Sequence, residues 1–351
     1  MPDIETIQRI LGVAIHAPSG DNAQPWRFAI KGNVVEIYNL EDRDATLYNF
    51  RQRGSYFAHG ALAENLVIAA SKEGYATHIE PFPGDSTCTA RITLLAGEPQ
   101  VDPLYAAISR RMTNRKPYSH RRLEGTDRNM LERSMPVGAH LKLKLIEDPV
   151  AISMLARAIS VNERLLMENR YLHDFLFGMI RWTTEEERHE TGLYVMTMEF
   201  SALVRFMMRY VLRHWLLVRV LNTVGLSRLI PKQSAEVYAA SSALCTVVIT
   251  RMCNIDFFDA GRAFERLWLT ATDRSLSIQP VTALPYLMQR VNENEAGAFS
   301  AEHVELIRTA NVTIKRAFAL TQNENIAMLF RIGYCGEPTA RSAKRPPVIV
   351  S

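Results

Sequence analysis

Apolar residues recur with helical spacing over residues 3–16, where Ile4, Ile7, Ile10, Leu11, Ala14 and Ile15 share a side and Asp3 stands at the N-cap position. Residues 27–30 and 34–38 flank Lys31-Gly32-Asn33 and predict a hairpin. Residues 56–73 are apolar on every side until the last turn and run into Gly74, a good C′ stop, which predicts a helix buried in the core. Strands follow at 77–80 and 89–95, split by the Pro/Gly stretch 81–85. The pattern then predicts a helix over 103–111 with Pro103 in its first turn, a strand over 141–146 and one long helix over 149–176. A β-branched strand over 244–250, helices over 260–273 and 301–320, and a strand over 327–334 complete it.

Helix, strands, helix, strands, repeated once in looser form, is a mixed α/β or α+β order, neither all-helical nor all-β. There is no strand–Gly-x-Gly-x-x-Gly–helix unit, so a dinucleotide-binding domain of that type is not expected.

Residues 177–240 do not fit the repeat. Residues 196–221 are helical and mostly apolar, yet carry Arg205, Arg209, Arg213 and Arg219, the first three on one face. Four arginines argue against a transmembrane span. An inserted lid or packing arm is the first reading, a dimer contact the second and an interfacial membrane helix the third.

Bulk composition changes this picture little. The chain has 351 residues, 47% hydrophobic and 22% charged, which is ordinary for a globular protein with two cores or one large one. Its 41 basic and 37 acidic residues leave a formal charge of +4, too diffuse for a nucleic-acid partner. Cys88, Cys245, Cys253 and Cys335 form no Cys-x-x-Cys pair and no zinc-ligand pattern, and the first residues show no basic or apolar leader. A reduced, cytoplasmic setting is the expectation, with no metal and no membrane partner.

Four stretches could carry chemistry. Ala17-Pro18-Ser19-Gly20-Asp21-Asn22-Ala23-Gln24-Pro25-Trp26 offers many hydrogen-bonding groups on a proline-held backbone. Ser109-Arg110-Arg111-Met112-Thr113-Asn114-Arg115-Lys116 sets four cations beside a hydroxyl and an amide, a setting for phosphate or simply a solvated basic loop. Leu276-Ser277-Ile278-Gln279-Pro280 reads as a loop. Gly333-Tyr334-Cys335-Gly336-Glu337-Pro338 leads into a basic tail with Arg341, Lys344 and Arg345. Glu186, His189 and Glu190 would share a helix face and could hold a metal, although a solvated helix end is the commoner outcome. His59 lies on the apolar helix and reads as a satisfied core histidine, whereas His16 sits beside the first loop.

Taken together, Pro18 to Trp26, Arg111 to Arg115, Ser275 to Pro280 and Gly333 to Arg345 resemble the flavin-binding elements of the nitroreductase family. The Pro-Ser loop precedes the arginine element, an order similar to the fused Acg-type branch, in which one chain resembles a whole nitroreductase dimer. The resemblance implies an α+β fold of mainly antiparallel sheets flanked by helices. It implies two related halves, 1–100 and 101–351, the second bearing the 177–240 insertion and the basic tail, with one flavin site shared between them. It implies FMN as cofactor. Arg111, Thr113 and Arg115 would hold its phosphate and ribityl chain, and Arg341, Lys344 and Arg345 would close on the phosphate. Pro18, Ser19, Asn22 and Gln24 would line the ring, and Pro280, Val281 and Thr282 would pass along its edge; Trp26 would be a packing anchor. The Glu-Gly pair usual in the branch is absent at Thr282-Ala283.

The activity so implied is hydride transfer from NAD(P)H through FMN to an electron-poor small molecule such as a nitro compound or quinone, with no protein nucleophile. Alternatives are an FMN-storing protein with a lidded flavin, a specialised flavoenzyme acting on a biosynthetic substrate, or an interaction protein with a degenerate site. The expected assembly is a monomer containing an internal pseudo-dimer, or a homodimer.

Overall fold

A computed structural model describes residues 2–84, 87–98, 100–136, 140–189 and 191–350. The chain begins with α1 (Ile4–Ala14), β1 (Trp26–Lys31), β2 (Val34–Asn39), α2 (Arg53–Lys72), β3 (Tyr75–Pro81), β4 (Cys88–Ala96), α3 (Tyr105–Arg110), α4 (Gly125–Ser134) and β5 (Leu141–Ile146). Helices α5 (Pro149–Ile159), α6 (Val161–Glu168) and α7 (Arg170–Met179) lead into β6 (Ile180–Arg181), α8 (Thr184–His189), β7 (Leu193–Tyr194), α9 (Ala202–Met207), α10 (Trp215–Thr223) and α11 (Leu226–Ala239). The last part holds β8 (Ala243–Ile249), α12 (Asn254–Asp273), β9 (Ser277–Val281), α13 (Ala283–Asn292), α14 (Ala301–Ala317), β10 (Asn325–Gly333) and β11 (Ile349–Val350).

Local chemistry sets the early elements as the pattern predicts. The Asp3 carboxylate accepts from the Thr6 N–H at 2.7 Å and caps α1, which buries Ile7, Ile10, Leu11 and Ala14. β1 and β2 pair from Trp26↔Asn39 to Lys31↔Val34, so the turn is Gly32-Asn33, and Gly32 takes a φ of +64° that a side chain would resist. Gly74, at φ +85°, ends α2.

Two sheets result, mainly antiparallel and flanked by helices, as expected. The first runs β11-β1-β2-β4-β3, and the second runs β5-β8-β10-β9. α1 and α2 cover the first, joining Ile7, Leu11, Phe28, Ile37, Leu62 and Ile92 in one core. α12 covers one face of the second through Phe264, Trp268, Val247 and Phe330. Helices α5, α13 and α14 cover its other face through Ile152, Leu287, Ile314 and Leu329. β8 is therefore buried at every position, which explains its unbroken apolar run. The short parallel pair β6–β7 stands apart from both sheets, within residues 177–240.

Between the two layers, α2 and α12 cross at closest approach. A Cβ built on Gly60 would sit 1.9 Å from the Phe258 carbonyl oxygen, and one built on Gly261 would sit 1.9 Å from the Phe57 carbonyl oxygen. The contact is reciprocal. In each helix the glycine lies three residues after the phenylalanine whose carbonyl meets the other helix's glycine.

Three expectations need correcting. The helix over 149–176 is three helices, broken at Ser160 and at Asn169, whose side chain accepts from Leu172 N–H at 3.1 Å and caps α7. The helix over 196–221 is interrupted too. Ser201 caps α9, a π-helical turn spans Met208–Leu212, and the chain becomes extended at His214. The 276–280 loop contains a strand, β9, in which Pro280 is tolerated because β9 lies at the sheet edge.

The crossing yields a prediction. Gly60→Ala and Gly261→Ala should each lose about 3 kcal/mol or more of stability, because backbone faces each glycine and has no rotamer through which to yield. Gly12→Ala in α1, with nothing within 4 Å of the new methyl, should be neutral or gain about 0.5–1 kcal/mol. Thermal melts of the three variants decide it; a tolerated Gly60→Ala would show that the helices are free to separate.

Candidate functional site

The loop after α1 is held in an unusual shape. Asp21, Asn22 and Gln24 have φ values of 47°, 56° and 51°, in the left-handed region that non-glycine residues seldom enter. Ser19 Oγ accepts from Gln24 N–H at 3.0 Å and closes the loop. His59 anchors its end through contacts with the Pro25 carbonyl at 2.8 Å and Thr89 Oγ1 at 2.6 Å, and burial pushes the imidazole down to about 4. It is the satisfied core histidine expected, and Trp26 packs against it at 6.2 Å.

The arginine element is laid against β9. Thr113 bridges Ile278 in parallel, and Asn114 N–H donates to the Ile278 carbonyl at 3.0 Å. The Asn114 side chain then donates to Ser277 Oγ at 2.9 Å and to the Gly336 carbonyl at 2.8 Å, tying three of the four candidate stretches together. The tail ties in the fourth. Asn22 Nδ2 donates to the Ala343 carbonyl at 3.0 Å, and Lys344 Nζ donates to the Ala17 carbonyl at 2.8 Å and to Asn22 Oδ1 at 3.1 Å.

These contacts enclose a cleft of about 1230 Å³, open mouth included. Of the residues proposed from sequence, Pro18, Ser19, Asn22, Arg111, Thr113, Arg115, Pro280, Thr282, Arg341 and Lys344 line it. Gln24, Val281 and Arg345 do not. Gln24 is buried, and its Oε1 accepts from the Arg345 N–H at 2.9 Å, so these two clasp loop to tail. Val281 pairs with Leu329 and packs among Leu284 and Leu287, on the far side of its strand.

One end of the cleft is cationic. The Arg111 guanidinium lies 4.4 Å from the Trp268 ring centroid, 3.3 Å from Glu265 and 2.7 Å from the His16 carbonyl it donates to. Arg341 donates to the carbonyls of Ser109, Ile108 and Arg111 where α3 ends, a position that the helix dipole favours for a cation. Burial, with Arg111 and Arg341 nearby, pushes the Lys344 ammonium down to about 7. Burial and the same three cations push His16 down to about 4, so it is neutral. A group of mutually repelling, desolvated cations favours an anion in their midst.

The remainder of the wall is mixed. Phe57, Phe264, Trp268 and Met328 supply apolar surface, and the buried Tyr286 hydroxyl lacks a hydrogen-bond partner. Asp21 and Asp44 also line the cleft. Burial raises Asp21 to about 6, against the pull of Arg115, and burial together with Asp21 raises Asp44 to about 7. A cleft with apolar wall residues and a cationic end suits a ligand that joins an apolar group to an anionic one. Asp44, Tyr48 and Tyr286 were missed from sequence because they sit on elements with no motif; the acidic run 41–44 was the one available signal.

Residues 187–199 meet the cleft and the tail. Leu193 and Thr197 line the cleft, and Arg115 donates to the Thr197 carbonyl at 3.0 Å. Glu187 accepts from the Ala343 N–H, and Glu199 accepts from the Thr339 N–H at 2.6 Å. No cluster of three metal-ligating side chains occurs among the described residues. Glu186 instead accepts from the Trp182 and Thr183 N–H groups at the start of α8, while Glu190 and the His189 side chain lie outside the described residues.

No family model matches the chain. A stretch of 345 residues, 97% of the chain, is 23% identical to an uncharacterized protein of Mycobacterium tuberculosis (strain CDC 1551 / Oshkosh) and covers 47% of it. A stretch of 123 residues, 34% of the chain, is 29% identical to 36% of a protein of the same strain named as a presumed NAD(P)H nitroreductase. The chain thus spans about half the length of the first of these relatives. Among solved structures it is similar to a nitroreductase with bound FMN from Bacteroides fragilis, at 13% identity over 70% of this chain and 94% of that one, with a TM-score of 0.37. It is also similar to an iodotyrosine deiodinase bound to FMN and 3-iodo-L-tyrosine, at 13% identity over 71% of this chain and 97% of that one, with a TM-score of 0.38. The resemblance to nitroreductases read from the motifs is thus matched by relatives of that name.

The acidic side of the cleft has a measurable consequence. Raised carboxyl pKa values mean that the folded state binds more protons than the unfolded state between about pH 4 and 7, so Asp44 costs stability as pH rises through that window. Asp44→Asn should therefore gain about 2 kcal/mol at pH 8, with the gain vanishing below about pH 4. Melting curves at both pH values check this; equal gains at both would show that charge is not the cause.

Proposed function

We propose that the chain is an FMN-dependent oxidoreductase that takes hydride from NAD(P)H and passes it to an electron-poor small molecule, such as a nitro compound or a quinone. The observation that carries this reading is the convergence of Arg111, Arg341 and Lys344 on one end of a cleft walled by aromatic and proline residues. The relative named for NAD(P)H nitroreductase activity supports it. The unpartnered Tyr286 hydroxyl and the surplus of buried cations fit a phosphate-bearing, hydrogen-bonding cofactor.

When bound, FMN would supply the hydride chemistry. The chain's own residues would bind and orient it. Arg111, Thr113, Arg115, Arg341 and Lys344 would hold the phosphate and ribityl chain. Pro18, Ser19 and Asn22 would line the ring, and Pro280 and Thr282 would border it. Gln24 and Arg345 would serve indirectly, by holding loop to tail. Leu193 and Thr197 would restrict water and solute access from above.

The reciprocal Gly60 and Gly261 contacts support the reading of two related halves, because such reciprocity is what a two-fold axis between α2 and α12 produces. Loop and arginine element come from different halves, so we place one flavin per chain. Among the described residues, no helix is long and apolar enough to cross a membrane. We assign the chain to the cytoplasm on a sequence whose four cysteines form no Cys-x-x-Cys pair and no zinc-ligand pattern.

The cap favours one second reading, a flavin-sequestering protein with little turnover. Anaerobic titration of FMN-reconstituted protein with NADH and NADPH separates the two. Bleaching of the flavin band at one equivalent per chain is the expected result; flavin reduced by dithionite but by neither nucleotide would establish sequestration, and two flavins per chain would end the shared-site reading.

FMN affinity should also fall as pH rises above about 7, where Lys344 loses its proton and its attraction for phosphate. Lys344→Met should weaken binding by about tenfold to a hundredfold at pH 6.5–7, and flatten the pH dependence. Fluorescence titration of FMN across pH measures both, and an unchanged slope in the variant would remove Lys344 from the phosphate site.

A further inference from the structure

The residues of the insertion that touch the cleft and the tail end at Glu199, and the stretch from Phe200 onward has a different character. α9, the π-turn and α10 are apolar on both sides. Their inner side is anchored: Met208 and Val218 are buried, His173 Nε2 lies 2.7 Å from the Leu212 carbonyl, and the Trp215 ring packs on His173. Their outer side is open. Leu203 and Leu216 are 71% exposed, Val220 65%, Phe206 57% and Tyr210 54%. Among the described residues, half of all exposed large apolar side chains fall between residues 200 and 229. A surface helix of a globular protein turns a polar face outward, and a helix apolar all round is normally covered.

Charge says what covers it. From residue 200 to residue 235 the sequence has no Asp or Glu, but has Arg205, Arg209, Arg213, Arg219, Arg228 and Lys232. A second copy docked through this face by two-fold symmetry would set six cations against six. A surface that is anionic outside and apolar a few ångströms below meets both features. Arginine stems lie along apolar surface while their heads reach phosphate, and aromatic rings such as Phe206 and Tyr210 settle at headgroup depth.

We propose that residues 200–229 form a docking surface for an anionic phospholipid bilayer, on which the chain rests without crossing it. This raises the third sequence reading of the insertion above the second, and leaves the capping role to the residues up to Glu199. It stands whether or not the cleft turns over.

Co-sedimentation of the full chain with vesicles tests it. The chain should pellet with phosphatidylcholine vesicles containing about a third phosphatidylglycerol, at least about tenfold more weakly with pure phosphatidylcholine, and less at high salt. The double substitution Phe206→Asp, Leu216→Asp should abolish pelleting. The triple substitution Arg209→Gln, Arg213→Gln, Arg219→Gln should weaken it and remove most of its salt dependence. All changes except Arg209→Gln fall on exposed positions, so unchanged circular dichroism melts are expected and confirm folding. Failure of the unaltered chain to pellet with anionic vesicles overturns the proposal. So does pelleting that neither variant alters, or a solution oligomer that Phe206→Asp, Leu216→Asp dissociates while vesicles bind nothing; the last result would assign the face to a second copy.

Discussion

The crossing of α2 over α12 is the constraint on which the rest of the structure depends. Two helices of 20 residues each can approach to backbone contact only where neither carries a side chain, and Gly60 and Gly261 supply those places. Close approach brings Phe57 and Phe264 together at 5.6 Å and sets Arg262 and Arg266 on the buried Glu64. It also fixes the separation of the two sheets, since one packs on each helix. The cleft lies along this seam, with Phe57 and Ala58 from α2 and Phe264 and Trp268 from α12 in its wall. A shift of the crossing would therefore move both the core and the site.

The site is assembled at a cost in local stability. Three residues of one loop occupy left-handed backbone, several cations are desolvated together, and burial raises two carboxyls above the usual carboxylate range. Left-handed backbone and the burial of charge each cost the ligand-free chain stability. The surrounding clasp compensates. Asn22, Gln24 and Lys344 knit loop to tail, Asn114 knits the arginine element to β9 and to Gly336, and β11 adds the end of the tail to the first sheet beside β1. The tail is thereby bound to the first loop and the first sheet, and the cleft is lined from both ends of the chain.

The insertion divides into two physical parts. Its first part is polar where it meets the site: Glu187, Thr197 and Glu199 are spent on backbone groups of the tail and on Arg115. Its second part keeps only a thin inner seam for itself and turns most of its apolar surface outward. The π-turn at Met208–Leu212 separates α9 from α10, and extended backbone at His214 separates their directions.

What the sequence determined by itself was local. The Asp3 cap, the Gly32 turn, the Gly74 stop and the all-round apolar α2 follow from spacing and backbone preference within a few residues, and all of these stand in the structure. The Pro-Ser loop and the arginine element were legible because their chemistry is dense over short stretches. The break at Asn169 was locally encoded too, in a good N-cap residue within an otherwise helical pattern, but apolar periodicity masked it. Tertiary structure alone decided the rest. That Gln24 clasps Arg345 instead of facing the cleft, that Val281 turns to the core while Pro280 and Thr282 turn to the cleft, and that Asp44 joins Asp21 there, all depend on partners brought near by folding. Contacts between segments some 320 residues apart, such as Gln24 with Arg345, leave no period and no spacing to read. They are fixed when the sheets pack on two helices whose glycines allow them to touch.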